Sequence, residues 1–487
     1  MFGRSSNCAL IALLFSFTLP LWCQDSAPVI RTTSRLVLLD VVVTDKAGHP
    51  IRGLTEDAFT ILENGVAQKI TSFQGPLNGS RRANRSRTII LLDELNIQFS
   101  DLAYARDRIA LFLEKNPAED QPTALMAVGP HGLTMVEDFT QDSKRLRERL
   151  MHLPPFDANP KGGTDAYWAQ ERAQQALHAL TEIARASVGS PYGLNVIWVT
   201  SGFSGMLQMP GTHYDVESNL RNVANVLMRS RMRLYTIDPA GVVPMGEISP
   251  APPKLTRGSI QDAHISAADQ MLGSVHGEAM SADVLLSHMS RMMGGRSYYG
   301  RNDVEGAISD AVVDGSSSYL ISYSPSDTNF NGDYRKIEVN TNTEGATART
   351  RQGYYAVADD AAPNREITDA VLDAAMSSPL SYAGLDVACP ATYDAAKGQL
   401  IGKLTVTPKP LLATADQNEQ VIRFASFSKD HKTLDRWSWR VNWKTPWTNR
   451  VVSASFDRPL SPKATSARFV VSDAAAQRIG TCDYRVP

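Results

Sequence analysis

Few residues in this chain have the type and placement to do chemistry, and the first candidate stands where a strand ends. The stretch Thr88–Phe99 reads TIILLDELNIQF. Apolar residues Ile89 to Leu92 run straight into an acid, Asp93, and the apolar pattern then breaks. Such an acid holds a metal, does acid–base chemistry, or marks where a site once was. Other chemistries fail on inspection. There is no Cys-x-x-Cys, no His-Glu-x-x-His and no Gly-x-x-x-x-Gly-Lys. Gly202-Phe203-Ser204-Gly205 has the wrong spacing for a nucleophile elbow. The histidines are scattered, with His264, His276 and His288 in or beside an aperiodic stretch, so a metal cluster there is not expected. Trp437, Trp439, Val441 and Trp443 alternate strictly with polar residues. They could stack on a sugar, but period two fits the buried face of an antiparallel strand better.

The elements around Asp93 must position it. Residues 28–75 read as β: RLVLLDVVVT, a turn, then AFTILENG and VAQKITSF joined at the hairpin dipeptide Asn64-Gly65. Pro76–Arg87 is a linker. From residue 87 to 315, apolar strands alternate with amphipathic helices, for example LAYARDRIALFLEK with Leu102, Ala105, Ile109 and Phe112 on one face. That alternation predicts a doubly wound, mostly parallel α/β sheet. Val242–Ser281 has no period and reads as a surface insertion. Residues 316–356 return to strands. About 45 N-terminal residues are too few for their own core. They are therefore expected to pair with 316–356 in one β-domain, with Val41 and Ile337 in connected sheets and the α/β domain inserted between. Residues 365–487 begin with a short helix and continue as a C-terminal β-sandwich.

The α/β part resembles a von Willebrand factor type A domain in its order of elements and in three loops at strand ends. In that family a divalent cation, typically Mg²⁺, is held by Asp-x-Ser-x-Ser, by the Thr of Gly-Gly-Thr and by the Asp of Thr-Asp-Gly. A hard cation of this kind takes six oxygens at about 2.1 Å. Here Asp93 stands at the first position, but Leu95 and Ile97 replace the serines. Gly162-Gly163-Thr164 is intact, and Thr200-Ser201-Gly202 offers a hydroxyl in place of the carboxylate. The resemblance thus leaves Asp93, Thr164 and Ser201 as metal ligands, with Asn96 or Asp165 able to compensate. The expectation is a degenerate adhesion site without stable metal, in which Asp93 accepts backbone N–H bonds from the neighbouring loops. Asp93, Asn96, Thr164, Asp165 and Ser201 should line one binding edge, made more apolar by Leu95 and Ile97. More widely, DVVVTDKAGHPIRGLTEDAFTILENGVAQKITSF, GGRSYYGRNDVEGAISDAVVDGSSSYLISYSP and YRKIEVNTNTEGATARTRQGYYA resemble the acidobacterial VWFA-related domain family of exported proteins. That likeness spans about residues 30–356.

Composition sets the outer bounds. The chain has 487 residues, 43% hydrophobic and 21% charged, with a formal net charge of −2. That is an ordinary globular composition with no electrostatic case for binding nucleic acid. Arg4 followed by the uncharged apolar run Cys8–Trp22 reads as a signal peptide over residues 1–24, cleaved near Cys23–Gln24. No later segment is long and apolar enough to span a membrane, so the mature chain is expected to be secreted, periplasmic or cell-surface associated. Cys389 and Cys482 then remain as one disulfide. The expected function is non-catalytic protein binding or assembly, with no cofactor. The alternatives are a cation-dependent adhesin, or a hydrolase or carbohydrate binder using the insertion or the tryptophan strand.

Overall fold

A computed structural model describes residues 36–76, 86–116, 121–154, 166–190, 192–202, 226, 230–241, 282–357, 367–407, 418–443, 451–473 and 478–487. Residues 1–24, expected to be a signal peptide, residues 242–281, expected to be a surface insertion, and the Gly-Gly-Thr motif with Asp165 lie outside these residues. Among the described residues the structure is mixed α/β, with one mixed six-stranded sheet and four antiparallel four-stranded sheets.

The six-stranded sheet runs, edge to edge, Ser297–Tyr298, Met232–Ile237, Leu194–Val199, Arg87–Asp93, Thr123–Gly129 and Gly132–Thr140. The first five strands are parallel and the last is antiparallel. Arg87–Asp93, first in sequence, lies in the middle, because the chain adds strands on one side of it and then on the other. Its residues feed two cores in alternation, as a strand covered on both faces must. Ile89 and Leu91 pack with Ala173, Leu180 and Met289 of helices Ala166–Ser187 and Ala282–Met292. Ile90 and Leu92 pack with Ile109, Leu146 and Ile308 of helices Phe99–Lys115, Ser143–Met151 and Val304–Ser316. The helix stripe seen in the sequence is confirmed: Leu102, Ala105, Ile109 and Phe112 are all buried.

The N-terminal strands pair with the later ones. Val37–Thr44 lies between Tyr319–Tyr323 and Thr347–Arg349, and Phe59–Glu63 pairs with Asn331–Thr341. Two expected strands prove to be divided. VAQKITSF breaks at Lys69: Val66–Gln68 stays in the hairpin, while Ile70–Gln74 crosses to Tyr319–Tyr323 in the other sheet. ATARTRQGYY breaks between Arg349 and Gly353, and its halves join opposite sheets. Val41 and Ile337 stand in different sheets. What joins the two sheets is a shared core, including Leu39, Val41, Ile61, Tyr319, Ile337 and Tyr354. The Asn64-Gly65 turn forms as expected, both residues taking positive φ (48° and 80°). Within the sandwich, buried Glu63 accepts from Tyr323 Oη (2.6 Å), Tyr354 Oη (2.9 Å) and Arg335 Nη1 (2.9 Å), so its charge is paired and hydrogen-bonded.

The C-terminal residues form two further sheets around one core. Gln399–Thr407 is the hub of one; Thr433–Trp443, Asn418–Phe427, Ser466–Asp473 and Arg478–Arg485 lie side by side in the other. Cys389 and Cys482 are bridged and link the two sheets. Trp437, Trp439 and Val441 are half-buried against this core, and Trp437 stacks on Phe424 at 4.6 Å between ring centroids. Arg436, Ser438 and Arg440 face outward. Helix Asp369–Ser377 joins this unit to the α/β part, with Leu372, Ala375 and Met376 in the same core as Ala176 and Leu180. Gly189, at φ +77°, comes so close to Gly384 that a Cβ would lie 3.1 Å from its Cα.

Candidate functional site

The carboxyl ends of the parallel strands form the candidate site. Asp93 is the last residue of the central strand and is fully buried. Its Oδ1 accepts the N–H groups of Leu95 and Asn96, both at 3.1 Å. Asn96 Nδ2 reaches Oδ1 at 3.2 Å and Oδ2 at 3.0 Å, and Thr200 Oγ1 donates to Oδ2 at 2.8 Å. Burial pushes the Asp93 carboxyl above its ordinary value, and the bonds from Asn96, Thr200 and Leu95 only partly offset this.

The turn closed on Asp93 sends the next two apolar side chains inward. Leu95 enters the core beneath Ala166–Ser187, and Ile97 enters the core beneath Phe99–Lys115. They do not make the edge apolar, which corrects that expectation: the serines of the family motif are replaced by core residues.

Thr200 follows the neighbouring strand, and its hydroxyl also accepts Gly202 N–H at 3.2 Å. Ser201 Oγ is buried and has no partner of full hydrogen-bond geometry, although it lies close enough to Asp238 to help hold that carboxylate charged. Asp238 begins the turn after Met232–Ile237 and accepts Ala240 N–H at 3.0 Å. Burial raises its carboxyl, and the charge of Asp101 raises it further. Glu94, beside Asp93, is buried with Oε1 unpartnered; burial raises it, Arg106 lowers it, and Asp93 raises it.

The structure therefore brings Asp93, Asn96 and Ser201 to one edge. Thr164 and Asp165 lie outside the described residues, as do His264, His276 and the side chain of His288. Three residues of this edge escaped sequence reading. Thr200, one residue before the hydroxyl singled out, makes the bond to Asp93. Glu94 was signalled by a second acid directly after the first. Asp238 was signalled by Asp-Pro at a strand end. The described part of the ligand set does not fit Mg²⁺: both Asp93 oxygens already accept protein donors, and Leu95 and Ile97 point into cores. Among the described residues no group of three or more His, Cys, Asp or Glu is placed to hold a metal.

No protein-family model matches the chain, and no curated protein does. Among solved structures it is similar to the VWA domain of SpRpn10, at 16% identity and TM-score 0.19, over 32% of this chain and 75% of that one. It is similar to proximal thread matrix protein 1 from the mussel byssus, at 11% identity and TM-score 0.20, over 32% and 37%. It is also similar to the pilus adhesin SpaC from Lactobacillus rhamnosus GG, at 9% identity and TM-score 0.28, over 89% and 58%. Likenesses this loose carry no functional argument. No helix among the described residues is long and apolar enough to cross a membrane.

Proposed function

We propose that this chain is an exported, non-catalytic protein-binding or assembly module of the VWFA-related kind. Its centre reads as a doubly wound von Willebrand type A-like domain, and its binding face is the carboxyl edge of the six-stranded sheet. Recognition there is metal-independent. One observation carries the reading: the Asp93 carboxylate accepts bonds from Leu95, Asn96 and Thr200, and so holds two loops together instead of facing a ligand. Strand order supports the place, since ligands of open α/β sheets meet the carboxyl ends where chain direction across the sheet reverses, here between Arg87–Asp93 and Leu194–Val199. The N-terminal apolar run supports export to the periplasm or cell surface.

The test is affinity capture of the mature chain from its own envelope extract, with and without EDTA. The same protein partner retained in both is the expected result. A partner released by EDTA would favour a cation-dependent adhesin. Capture of nothing above a control would remove the binding reading.

A further inference from the structure

A cleft of about 500 Å³ lies where the α/β part meets the C-terminal unit. Helix Ala166–Ser187 lines it with Glu171, Gln174, Gln175, His178 and Glu182, which at steps of three and four share one face of the helix. The other polar lining comes from two separate elements. His131 stands in the turn between strands Thr123–Gly129 and Gly132–Thr140, and Ser377 and Ser378 stand at the end of helix Asp369–Ser377. Leu133, Ala374 and Pro379 supply apolar surface.

Glu182 belongs to the joint itself: its carboxyl is bonded to the Ser378 hydroxyl and lies in the field of His178, Arg185 and Arg468. Ser377 Oγ donates to the Asp373 carbonyl at 2.8 Å and keeps its lone pairs for accepting. The side chains that face a ligand are then chiefly Gln174, Gln175, His131 and His178, with the Glu171 carboxylate beside them. Carboxamide and neutral imidazole groups each donate and accept hydrogen bonds. A ligand whose own polar groups also donate and accept, one beside the next, matches them, and that is the pattern of a polyol. Among the described residues no lysine or arginine lines the cleft, so no side chain there would pair with a phosphate or carboxylate. No aromatic ring lines it either, so a nucleobase would find no stacking face. The volume is that of a small-molecule site, not of a single ion, and Glu171 and His178 stand about 10 Å apart along the helix axis.

We propose that this cleft binds a neutral saccharide the size of a disaccharide, with Gln174, Gln175, His131 and His178 bonded to its hydroxyls and its C–H faces set against Leu133, Ala374 and Pro379. None of Asp93, Asn96 and Ser201 lines the cleft, so the site stands apart from the carboxyl edge and does not depend on that edge binding a protein.

The test titrates the full mature chain with cellobiose, maltose and diacetylchitobiose, and with triglycine as the peptide counterpart, read by calorimetry and ligand-observed NMR. At least one of the three sugars should bind with a Kd of about 1 mM, since hydrogen bonds without ring stacking give weak affinity. The double variant Gln174→Ala, Gln175→Ala and, separately, His178→Ala should each weaken that binding about tenfold. Alanine favours the helix, and Gln174 and His178 are exposed, so the melting temperatures should be unchanged. Binding of none of the three sugars would overturn the proposal. Binding undiminished in both variants would do the same, because it would place the sugar elsewhere on the chain. Triglycine bound as tightly as the sugars, and lost in the same variants, would make this a peptide cleft and would also overturn it.

Discussion

Thr200 Oγ1 donates to Asp93 Oδ2 at 2.8 Å across two adjacent parallel strand ends. The bond ties the residues after Val199 to the end of the central strand and engages one of the two Asp93 carboxyl oxygens. With the bonds from Leu95 and Asn96 it fixes the described part of the carboxyl edge.

Thr200→Val removes that donor and leaves a buried carboxylate short of a partner. The expected loss is about 1–3 kcal/mol. The pH dependence identifies the cause. The folded-state value of Asp93 lies above the ordinary 3.8, because burial outweighs its hydrogen bonds. The stability linked to this group is full below 3.8 and is lost as pH rises through the folded value. The variant raises that value further, so its deficit should widen from acid to neutral pH in denaturant unfolding. A deficit independent of pH would place the effect elsewhere.

The opposite slope is expected at the joint between the N-terminal sandwich and the six-stranded sheet. Asp40 accepts Arg231 Nη2 at 2.7 Å and Nε at 3.2 Å. Burial alone would raise the carboxyl, but the charges of Arg231 and Arg233 and the Arg231 hydrogen bond together hold it below 3.8. Its stabilisation is present above 3.8 and is lost as pH falls through the lower folded value. Asp40→Asn removes the carboxylate charge that faces Arg231 and Arg233 and should cost about 3–5 kcal/mol at neutral pH, the gap closing in acid. Unfolding curves of the two proteins at several pH values check this.

The tryptophan strand is core before it is a binding platform. Trp437 stacks on Phe424, and Trp437→Ala should cost about 3 kcal/mol, the low end for a ring that keeps one side partly open. Unchanged stability with loss of glycan binding would reverse that reading.

The Cys389–Cys482 bond joins two sheets across a separation of 93 residues. In the chain-entropy account it contributes about 4–5 kcal/mol. Replacing both cysteines by serine should lower stability toward that limit, and the unreduced, denatured mature chain should take up no thiol reagent. Two reactive thiols would contradict the bond.

Much of this architecture was legible because local patterns were strong. The four-residue apolar run ending at Asp93, the stripe through Leu102 and Ile109, Asn64-Gly65 and the period-two tryptophans each state a structure within a short window. What failed was non-local. Whether the chain at Lys69, or between Arg349 and Gly353, continues in one sheet or crosses to the facing one depends on partners hundreds of residues away, so the division of these β segments into two sheets is not visible in the sequence. At the site, residue type was read correctly and direction was not. Leu95 and Ile97 were taken as apolar surface because the turn on Asp93, which swings them into two different cores, is fixed by hydrogen bonds that sequence spacing does not display. Ser201 was singled out by position in a family pattern, whereas the bond that matters is made by Thr200.

The account turns on Asp93 being satisfied by protein donors, and thermal unfolding of the mature chain with and without millimolar Mg²⁺ tests this most directly. A ligand that binds only the folded state raises stability by RT ln(1 + [L]/Kd), about 2.7 kcal/mol at one hundred times Kd. The melting temperature should be the same in Mg²⁺ as in EDTA. A clear rise with Mg²⁺, abolished by Asp93→Asn, would show Asp93 to be a working ligand and would contradict the account.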